Sequence, residues 1–553
     1  MSKLFGIDLG TTYSVIATTD DNDMPVVITN TPDDDQKLAS AVYFEPGGNI
    51  VVGTCAKDGM NEPDRVIQFV KREIGKDDKE WTFDGEKYNP ITISSLILKK
   101  MKDYAEEQGY EVEEVVITCP AYFGNEEVLA TRQAGEIAGF KVRDIIREPT
   151  AAAVNYCARA FKEEKKLLVY DLGGGTFDVS LIDFSENENG NYIIKVKSTD
   201  GNDRLGGKDW DERLFEYACD KYSDEQGTDV DEIEDDLKTL VKASMEEVKK
   251  KLSSKEKNHV YFGSDKIELQ REEFEERTRD LVAKTMLLVD NLIDENKDFL
   301  PNGASDIDIV LLVGGSTRMP MISEAVKEKF GSEKVMVEDP DLAVAKGAAL
   351  YAKITEEAEM PSASSNTNPN EGDTDIVPDY PKGESGFLEV GDVLAKAFGI
   401  RAFGGGSDKE YLYHFVYKDE PAPIEVTRSE FGTKVDNQSK LIIPIYESKA
   451  KDKDTQSEIL LEANGAKQEI DPLLEVKNLG KVELEIPSGK PKGYKVNITF
   501  KCSAGNLEVI AEDPETGKIV KSEIHAENLM SKSEVEAAKD AMQNTSISSE
   551  PST

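Results

Sequence analysis

The chain has 553 residues, enough for three or four folding units that each bury a core of their own. Its 67 basic and 109 acidic residues leave a net charge of −42, which repels phosphate backbones and anionic lipid and favours solubility; nucleic-acid binding is excluded as a reading. No apolar run approaches the roughly 18 residues of a membrane span, and Met1-Ser2-Lys3 leads straight into a strand-like segment, so a soluble cytoplasmic protein with no membrane partner is expected.

In chain order, strands alternate with helical patterns from Met1 to about Ile354: KLFGIDL, an amphipathic helix over PDRVIQFVKREIG, EEVVITCPAYF, and a helix in EVLATRQAGEIAG. KLLVYDLG, a long charged helix through VKASMEEVKKKLSS, DIDIVLLVGGS and a helix in MPMISEAVKEKF follow. This alternation predicts α/β layers. Met360 to Gly386 is rich in Pro, Ser, Asn, Asp and Gly and reads as a flexible polar linker. Beyond it the period becomes two in KLIIPIYE, SEILLEA, KVELEI, YKVNITFK and NLEVIAED, which predicts a small, mostly antiparallel β-domain. A short helix then starts at a capping box, Ser531 with Glu534, stapled by Met530 and Val535; it fades near Met542 into a polar tail and is marginal unless docked. The expected divisions are 1–355, 356–391, 392–527 and 528–553. Five cysteines (Cys55, Cys119, Cys157, Cys219, Cys502) lack paired spacing and the three histidines stand far apart, which argues for small core residues over a disulfide framework or a Cys/His metal site.

Two stretches share one pattern. FGIDLGTTYSVIAT at Phe5–Thr18 and YDLGGGTFDVSLID at Tyr170–Asp183 each set Asp-Leu-Gly and hydroxyl residues between apolar runs. Glycines let backbone N–H groups close on an anion, and Asp8 and Asp171 at matching places repel a phosphate unless a hard cation such as Mg²⁺ lies between. One copy alone reads more readily as a plain glycine-rich hairpin turn; the duplication with registered aspartates reverses that and favours a clamp on a nucleotide's phosphate tail. A third glycine site, LLVGGSTRMP at Leu311–Pro320, ends a strand and opens a helix.

These segments, with VITCPAYF, REPTAAA, RLGGKDWDERL and DPDLAVAKGAALYA, occur in the order of the nucleotide-binding domain of the seventy-kilodalton heat-shock protein (DnaK-type) chaperone family, which the chain resembles over most of residues 3–354. The resemblance continues more faintly through DVLAKAFGI, KVDNQSK and GYKVNITFKCSAGNLEVIAEDPETGK into the family's substrate-binding sandwich. It implies an α/β, actin-like, two-lobed ATPase domain built by duplication, followed by a small antiparallel β-sandwich and a short C-terminal helix. ATP or ADP and Mg²⁺ are the implied cofactors, and unfolded or extended polypeptide clients and a nucleotide exchange factor the implied partners.

Carried over by position, the resemblance makes Asp8 and Asp171 the carboxylates around a hydrated Mg²⁺, Gly10, Thr11, Thr12 and Tyr13 the first phosphate loop, and Gly173, Gly174, Gly175 and Thr176 the second. Lys71 then holds the attacking water and the transferring phosphoryl group, whereas by pattern alone a lysine on that helix is a solvated face. Glu148, Thr176 and Asp178 join Lys71 as the implied catalytic set. Gly206 and Gly207, the helix residues Glu246, Lys249, Lys250 and Ser253, and Gly314, Gly315, Ser316, Arg318 and Asp341 complete the nucleotide site; Lys250 replaces a stacking arginine. Pro120 matches an interdomain switch, and Phe403 and Leu441 match a peptide groove.

The chain also departs from the family. Val128 replaces a relay arginine, and Asp144 stands where an arginine meets the acidic tip of a J-domain, a reversal expected to repel that partner or to require a different docking mode. Lys434 replaces a small arch residue over the peptide groove, the helical lid is a stub, and one arm is shortened between Trp81 and Pro90. The expected activity is slow ATP hydrolysis coupled to binding of extended polypeptide. The alternatives are a regulatory ATP-binding interaction module that does not cycle on peptides and, least favoured, a metabolite kinase on the same fold.

Overall fold

Two β-sheets, each organised round one of the Asp-Leu-Gly hairpins, form the first part of the molecule. The computed structural model describes residues 3–551 apart from 30–34, 59–61, 77–78, 161–162, 187–191, 338, 360–387, 404–409, 452–457, 462–474, 504–505 and 524–528. The first sheet runs in the order Lys141–Arg147, Val112–Cys119, Lys3–Asp8, Tyr13–Thr19, Pro25–Val27, with Leu38–Ala39 also on Tyr13–Thr19. The second runs Val335–Val337, Ile309–Val313, Lys165–Leu172, Phe177–Glu186, Tyr192–Asn202, Leu388–Val393, Pro421–Ala422. The duplication read in the sequence is a duplication of pairing. Ile7 faces Ile16 across its hairpin and lies beside Ile117 of a parallel strand, as Tyr170 faces Val179 and lies beside Leu312. The helix Ala343–Glu359 packs on both Lys3–Asp8 and the helix Glu148–Ala160. The backbones there approach so closely that neither Gly6, against Ala349, nor Gly347, against Ala151, leaves room for a Cβ.

The helices expected at EVLATRQAGEIAG, VKASMEEVKKKLSS and MPMISEAVKEKF form as Asn125–Ile137, Asp235–Ser254 and Pro320–Phe330, the last with proline in its first turn. The helix expected over PDRVIQFVKREIG does not form. Pro63–Arg65 is a single 3₁₀ turn, Val66–Gln68 is a strand paired with Ala41–Phe44, and Val70–Glu73 is another 3₁₀ turn entered through Phe69 at φ +60°. β-Branched Val66 and Ile67 suit the strand, and the sheet edge offers hydrogen bonds that override the helical period. Lys71 is therefore buried. Cys119, Cys157, Cys219 and Cys502 are buried free thiols, and no helix among the described residues is long and apolar enough to cross a membrane.

The β-domain packs a five-stranded sheet, Glu458–Leu461, Glu410–Val416, Ala397–Phe403, Lys440–Ser448, Lys477–Glu485, on a four-stranded one, Ile424–Arg428, Asn497–Ser503, Asn506–Asp513, Lys518–Glu523. Phe415, Ile445, Val496, Phe500 and Val509 lie in their common core. Of the expected linker 356–391, residues 360–387 lie outside the described residues. Its last residues open the strand Leu388–Val393, which pairs in parallel with Tyr192–Asn202 and, through Asp392, antiparallel with Ala422. One strand thus joins the two halves.

The C-terminal helix Lys532–Gln543 begins at the expected capping box and is docked: Val535 and Met542 are buried in the core of the first sheet's half. Gln133 fixes its start, donating to the Met530 carbonyl at 2.7 Å and accepting from the Met530 amide at 3.1 Å. The tail does not fade after the helix, because Ile547–Ser548 adds a strand parallel to Ile50–Val52.

Further contacts seat the β-domain. Lys418 donates to the Thr199 carbonyl at 2.5 Å, Ser198 donates to Asp419 at 3.0 Å, and Lys477 pairs with Glu126. Beside them Glu447, 5% exposed, meets Glu127 of the helix Asn125–Ile137; one oxygen of each stands 3.0 Å from where a Cβ on Gly124 would lie, and neither oxygen has a hydrogen-bond partner. Burial, then the charge of Glu127, raises the Glu447 carboxyl from the usual 4.5 to about 7 against the pull of Lys396 and Lys477. The docked form therefore retains a proton that a free carboxyl releases, and docking weakens as pH rises from the ordinary carboxylate range through about 7. Limited proteolysis across that range is expected to show progressive exposure of the interface in the wild type and a flat response in Glu447→Gln; matching pH profiles would refute the assignment.

Candidate functional site

The two hairpin tips face each other across a cavity of about 610 Å³, within the range of small-molecule sites. Gly174 abuts Thr12 and Gly175 abuts Thr11 so closely that a side chain at either glycine would collide with the threonine. The second tip is clasped from behind. Gly207 and Lys208 donate their amides to the carbonyls of Gly173 and Gly174 at 2.9 and 2.8 Å, and Ser316 Oγ donates to the Gly173 carbonyl at 2.8 Å. A methyl on Gly206 would stand 2.5 Å from the Gly175 carbonyl carbon, so this clasp requires glycine. Ser40 anchors the first tip by donating to the Gly10 carbonyl at 2.8 Å.

Because both tips end strands, the acids at those strand ends converge. Asp8, Glu148 and Asp171 line the cavity with Lys71, which is ion-paired to Glu148. Asp178 lies behind them, one oxygen accepting the Ala121 amide at 2.9 Å and the other without a hydrogen-bond partner. Burial, reinforced by the negative charge of Glu148, pushes Asp8 up to about 7 and holds Asp171 and Asp178 well above the carboxylate range. Burial alone would lower Lys71, but Glu148 and Asp8 outweigh it and hold its ammonium above the ordinary lysine value.

One ammonium does not balance four carboxylates, and buried charge without compensation is costly. The cluster fits a cation. Among the described residues no three acidic, histidine or cysteine side chains are arranged to ligate a metal directly. Carboxylate oxygens are the donors a hard divalent ion takes, commonly together with water and phosphate oxygens.

The far wall is polar and narrow. Glu246 pairs with Lys57 and, at 2.9 Å, with Lys250, and Lys250 also donates to the Tyr13 hydroxyl at 3.1 Å, tying this wall to the first hairpin. Lys249 donates to the Gly207 carbonyl and pairs with Asp211, both at 2.8 Å, while Ser253 donates to the Lys249 carbonyl at 3.0 Å. Gly314 turns at φ +82°, and Arg318 reaches one Asp341 oxygen at 2.7 Å through Nη2 and 3.0 Å through Nε. Gly314, Gly315, Ser316, Arg318 and Asp341 thus complete the cavity wall, with Gly314 close against Asp171.

The structure therefore brings the phosphate-loop, acid and helix residues of the sequence reading round a single cavity, with Gly175, Gly206, Gly207 and Asp178 immediately behind its lining. Pro120 lies in the loop that presents Ala121 to Asp178. Phe403 and Leu441 belong to the β-domain, on antiparallel strands; Phe403 is 41% exposed, Leu441 packs on the core, and the Lys434 ammonium sits 3.3 Å above the Phe403 ring centroid. Sequence reasoning missed Arg72, which donates to the Gly175 carbonyl at 2.7 Å and pairs with Asp209 at 2.8 Å, and it missed Lys37, Lys57, Lys208 and Asp211. Arg72 adjoins Lys71, and breaking the helix at Val66-Ile67 would have turned both inward.

Comparison with known proteins gives a match to the Hsp70 protein family over residues 4–83 and 77–362, which takes in every residue lining the cavity. The Chaperone protein DnaK of Thermosipho melanesiensis is 42% identical over 361 residues, 63% of this chain; the chain spans 59% of that relative's length.

A methyl on Gly173 meets nothing in the protein closer than 3.7 Å, whereas one on Gly206 collides with backbone. Gly173→Ala is accordingly expected to keep its melting temperature yet lose Mg²⁺-nucleotide binding in calorimetry by roughly tenfold or more. Gly206→Ala should lower the melting temperature by several degrees, about 2–4 °C per kcal/mol.

Proposed function

The chain belongs to the Hsp70 family, and from that premise we propose that it is an ATP-dependent chaperone that hydrolyses ATP slowly and binds extended polypeptide segments. The observation that carries the reading is the meeting of two glycine hairpins over a cluster of acids with one buried lysine, all inside the family-matched part of the chain. In this reading residues 1–355 are an actin-like, two-lobed ATPase domain, 392–527 the peptide-binding sandwich and 528–553 a lid remnant. ATP and ADP occupy the cavity with Mg²⁺.

The backbone amides of both tips and the Thr11, Thr12 and Thr176 hydroxyls hold the phosphates, with Thr176 at the terminal one. Lys71, oriented by Glu148, positions water and the transferring phosphoryl group, and Glu148 with Asp178 sets the polarity of that pocket. Water attacks in line, the terminal P–O bond breaks, and ADP and phosphate are formed. Asp8 and Asp171 would hold Mg²⁺, which when bound would supply positive charge to the phosphates. Glu246, Lys249, Lys250, Ser253, Gly314, Gly315, Ser316, Arg318 and Asp341 hold the nucleoside; with Lys250 bonded to Tyr13 and Glu246, its role is to close the wall and not to stack on the base. Phe403 and Leu441 mark the peptide groove. Extended polypeptides and an exchange factor are the proposed partners, while a J-domain's acidic tip would meet Asp144, whose carboxylate is bonded to Tyr351 at 3.0 Å.

The Lys434 ammonium over Phe403 favours a second reading, a regulatory ATP-binding module whose groove stays covered. Single-turnover hydrolysis with and without excess extended apolar peptide separates them. The chaperone reading expects measurable turnover that peptide accelerates and that Lys71→Ala lowers by a factor of at least about 100; tight ATP binding without turnover selects the module.

A further inference from the structure

The 3₁₀ turn Val70–Glu73 sends two neighbouring side chains to different places. Lys71 pairs with Glu148 among the acids, whereas Arg72 reaches the second glycine tip, its Nε donating to the Gly175 carbonyl at 2.7 Å and its Nη2 to Asp209 at 2.8 Å. The turn belongs to the first sheet's half, whose core takes Val70 and Ile74; the tip belongs to the second, whose core takes Leu172 and Phe177. The bond from Arg72 to Gly175 therefore spans the cleft. Beside it the Lys208 ammonium lies 4.4 Å from the centroid of the Phe69 ring, a second contact between the same two turns.

Each of the three glycine carbonyls of that tip is bound from outside it. Gly173 accepts from the Gly207 amide and from Ser316, Gly174 from the Lys208 amide, and Gly175 from Arg72. The amides of Gly174, Gly175 and Thr176, by contrast, have no acceptor among the described residues. A trans peptide is planar, with its C=O and N–H pointing opposite ways, so whatever holds the Gly175 carbonyl also sets the direction of the Thr176 amide. The helix Gly207–Gln226 holds the first two peptides from within their own half, and Arg72 holds the third from the other. Asp209 joins the two grips, since a single oxygen accepts both Arg72 and the Gly206 amide, each at 2.8 Å.

We propose that Arg72 is a positioning residue that fixes the Gly175–Thr176 peptide so that the Thr176 amide serves the terminal phosphate of a nucleoside triphosphate. A diphosphate ends short of that amide and makes no use of it. Arg72 therefore governs how the tip receives the triphosphate and leaves the diphosphate unaffected. A guanidinium suits the task because its planar fork holds a carbonyl and a carboxylate together, whereas an ammonium of the same charge is a point donor. The proposal rests on the reading given above, in which Thr176 meets the terminal phosphate.

The test uses the full chain with Arg72→Gln and Arg72→Lys, titrated in calorimetry with Mg²⁺-ADP and with a non-hydrolysable Mg²⁺-ATP analogue. Arg72→Gln is expected to bind the analogue roughly tenfold more weakly, the scale of one hydrogen bond to a charged group, and to bind ADP within about twofold of wild type. Its single-turnover ATP hydrolysis should slow by roughly tenfold or more. Arg72→Lys keeps the charge and loses the fork, and it should behave as Arg72→Gln does. An unchanged analogue affinity in Arg72→Gln, or equal weakening of both nucleotides, overturns the proposal, the latter marking a general loosening of the tip. An Arg72→Lys variant equal to wild type also overturns it, since charge alone would then suffice. A wild type that binds the analogue without hydrolysing ATP sinks the hydrolysis reading only, and the analogue-to-ADP ratio still decides the role of Arg72. Should Arg72→Gln not fold, Arg72→Lys, with its charge kept beside Asp209, carries the same comparison.

Discussion

Backbone approach at the two glycine tips is the constraint from which the site follows. Gly174 and Gly175 lie against Thr12 and Thr11 with no space for a Cβ, and Gly206 and Gly207 close on the second tip from behind. Sheets whose hairpins meet at this distance must also bring together the residues at the ends of those strands. Asp8, Asp171 and Asp178 become neighbours for that reason, and Glu148 joins them from the start of its helix. Dense negative charge in a buried place is thus a consequence of the tip geometry, and the single Lys71 ammonium leaves it short of positive charge.

A second theme is shared structure between the halves. Leu388–Val393 is at once a strand of the second sheet and the partner of Ala422 at the entrance to the β-domain. The C-terminal helix, too short to be stable alone, places Val535 and Met542 in the first half's core, and Ile547–Ser548 extends a sheet there. The β-domain is thereby held on both sides in sequence, by the strand before it and the helix after it. Its contact face includes two facing carboxylates, Glu127 and Glu447, so the association depends on protons as well as on packing.

Much of this was legible in the residues. The hairpins, the Gly314–Gly315 turn, the capping box at Ser531 and the period-two strands of the β-domain are local patterns, and local backbone chemistry specifies them. Lys71 was not legible in that way: VIQFVKREI fits a helical period, yet the edge of Ala41–Phe44 offered Val66–Gln68 a better set of hydrogen bonds. Arg72, Lys57 and Asp211 also escaped, because their partners Gly175, Glu246 and Lys249 are far away in sequence. The tail strand Ile547–Ser548 has no signal of its own; two residues become a strand only when an open edge is waiting.

By itself the sequence determined where the chain must turn tightly, which runs are strands and which acids accompany the glycines, since each depends on neighbours a few residues apart. The family resemblance, carried by those same motifs, assigned Lys71 a role that its pattern concealed. Tertiary structure alone decided that Lys71 is buried against Glu148, that Arg72 reaches the second tip at Gly175, and that the C-terminal helix is docked. The physical reason is common to all three. Burial and ion pairing depend on which distant surfaces come within a few ångströms, and that is settled by how sheets and helices pack, not by any one segment's preference.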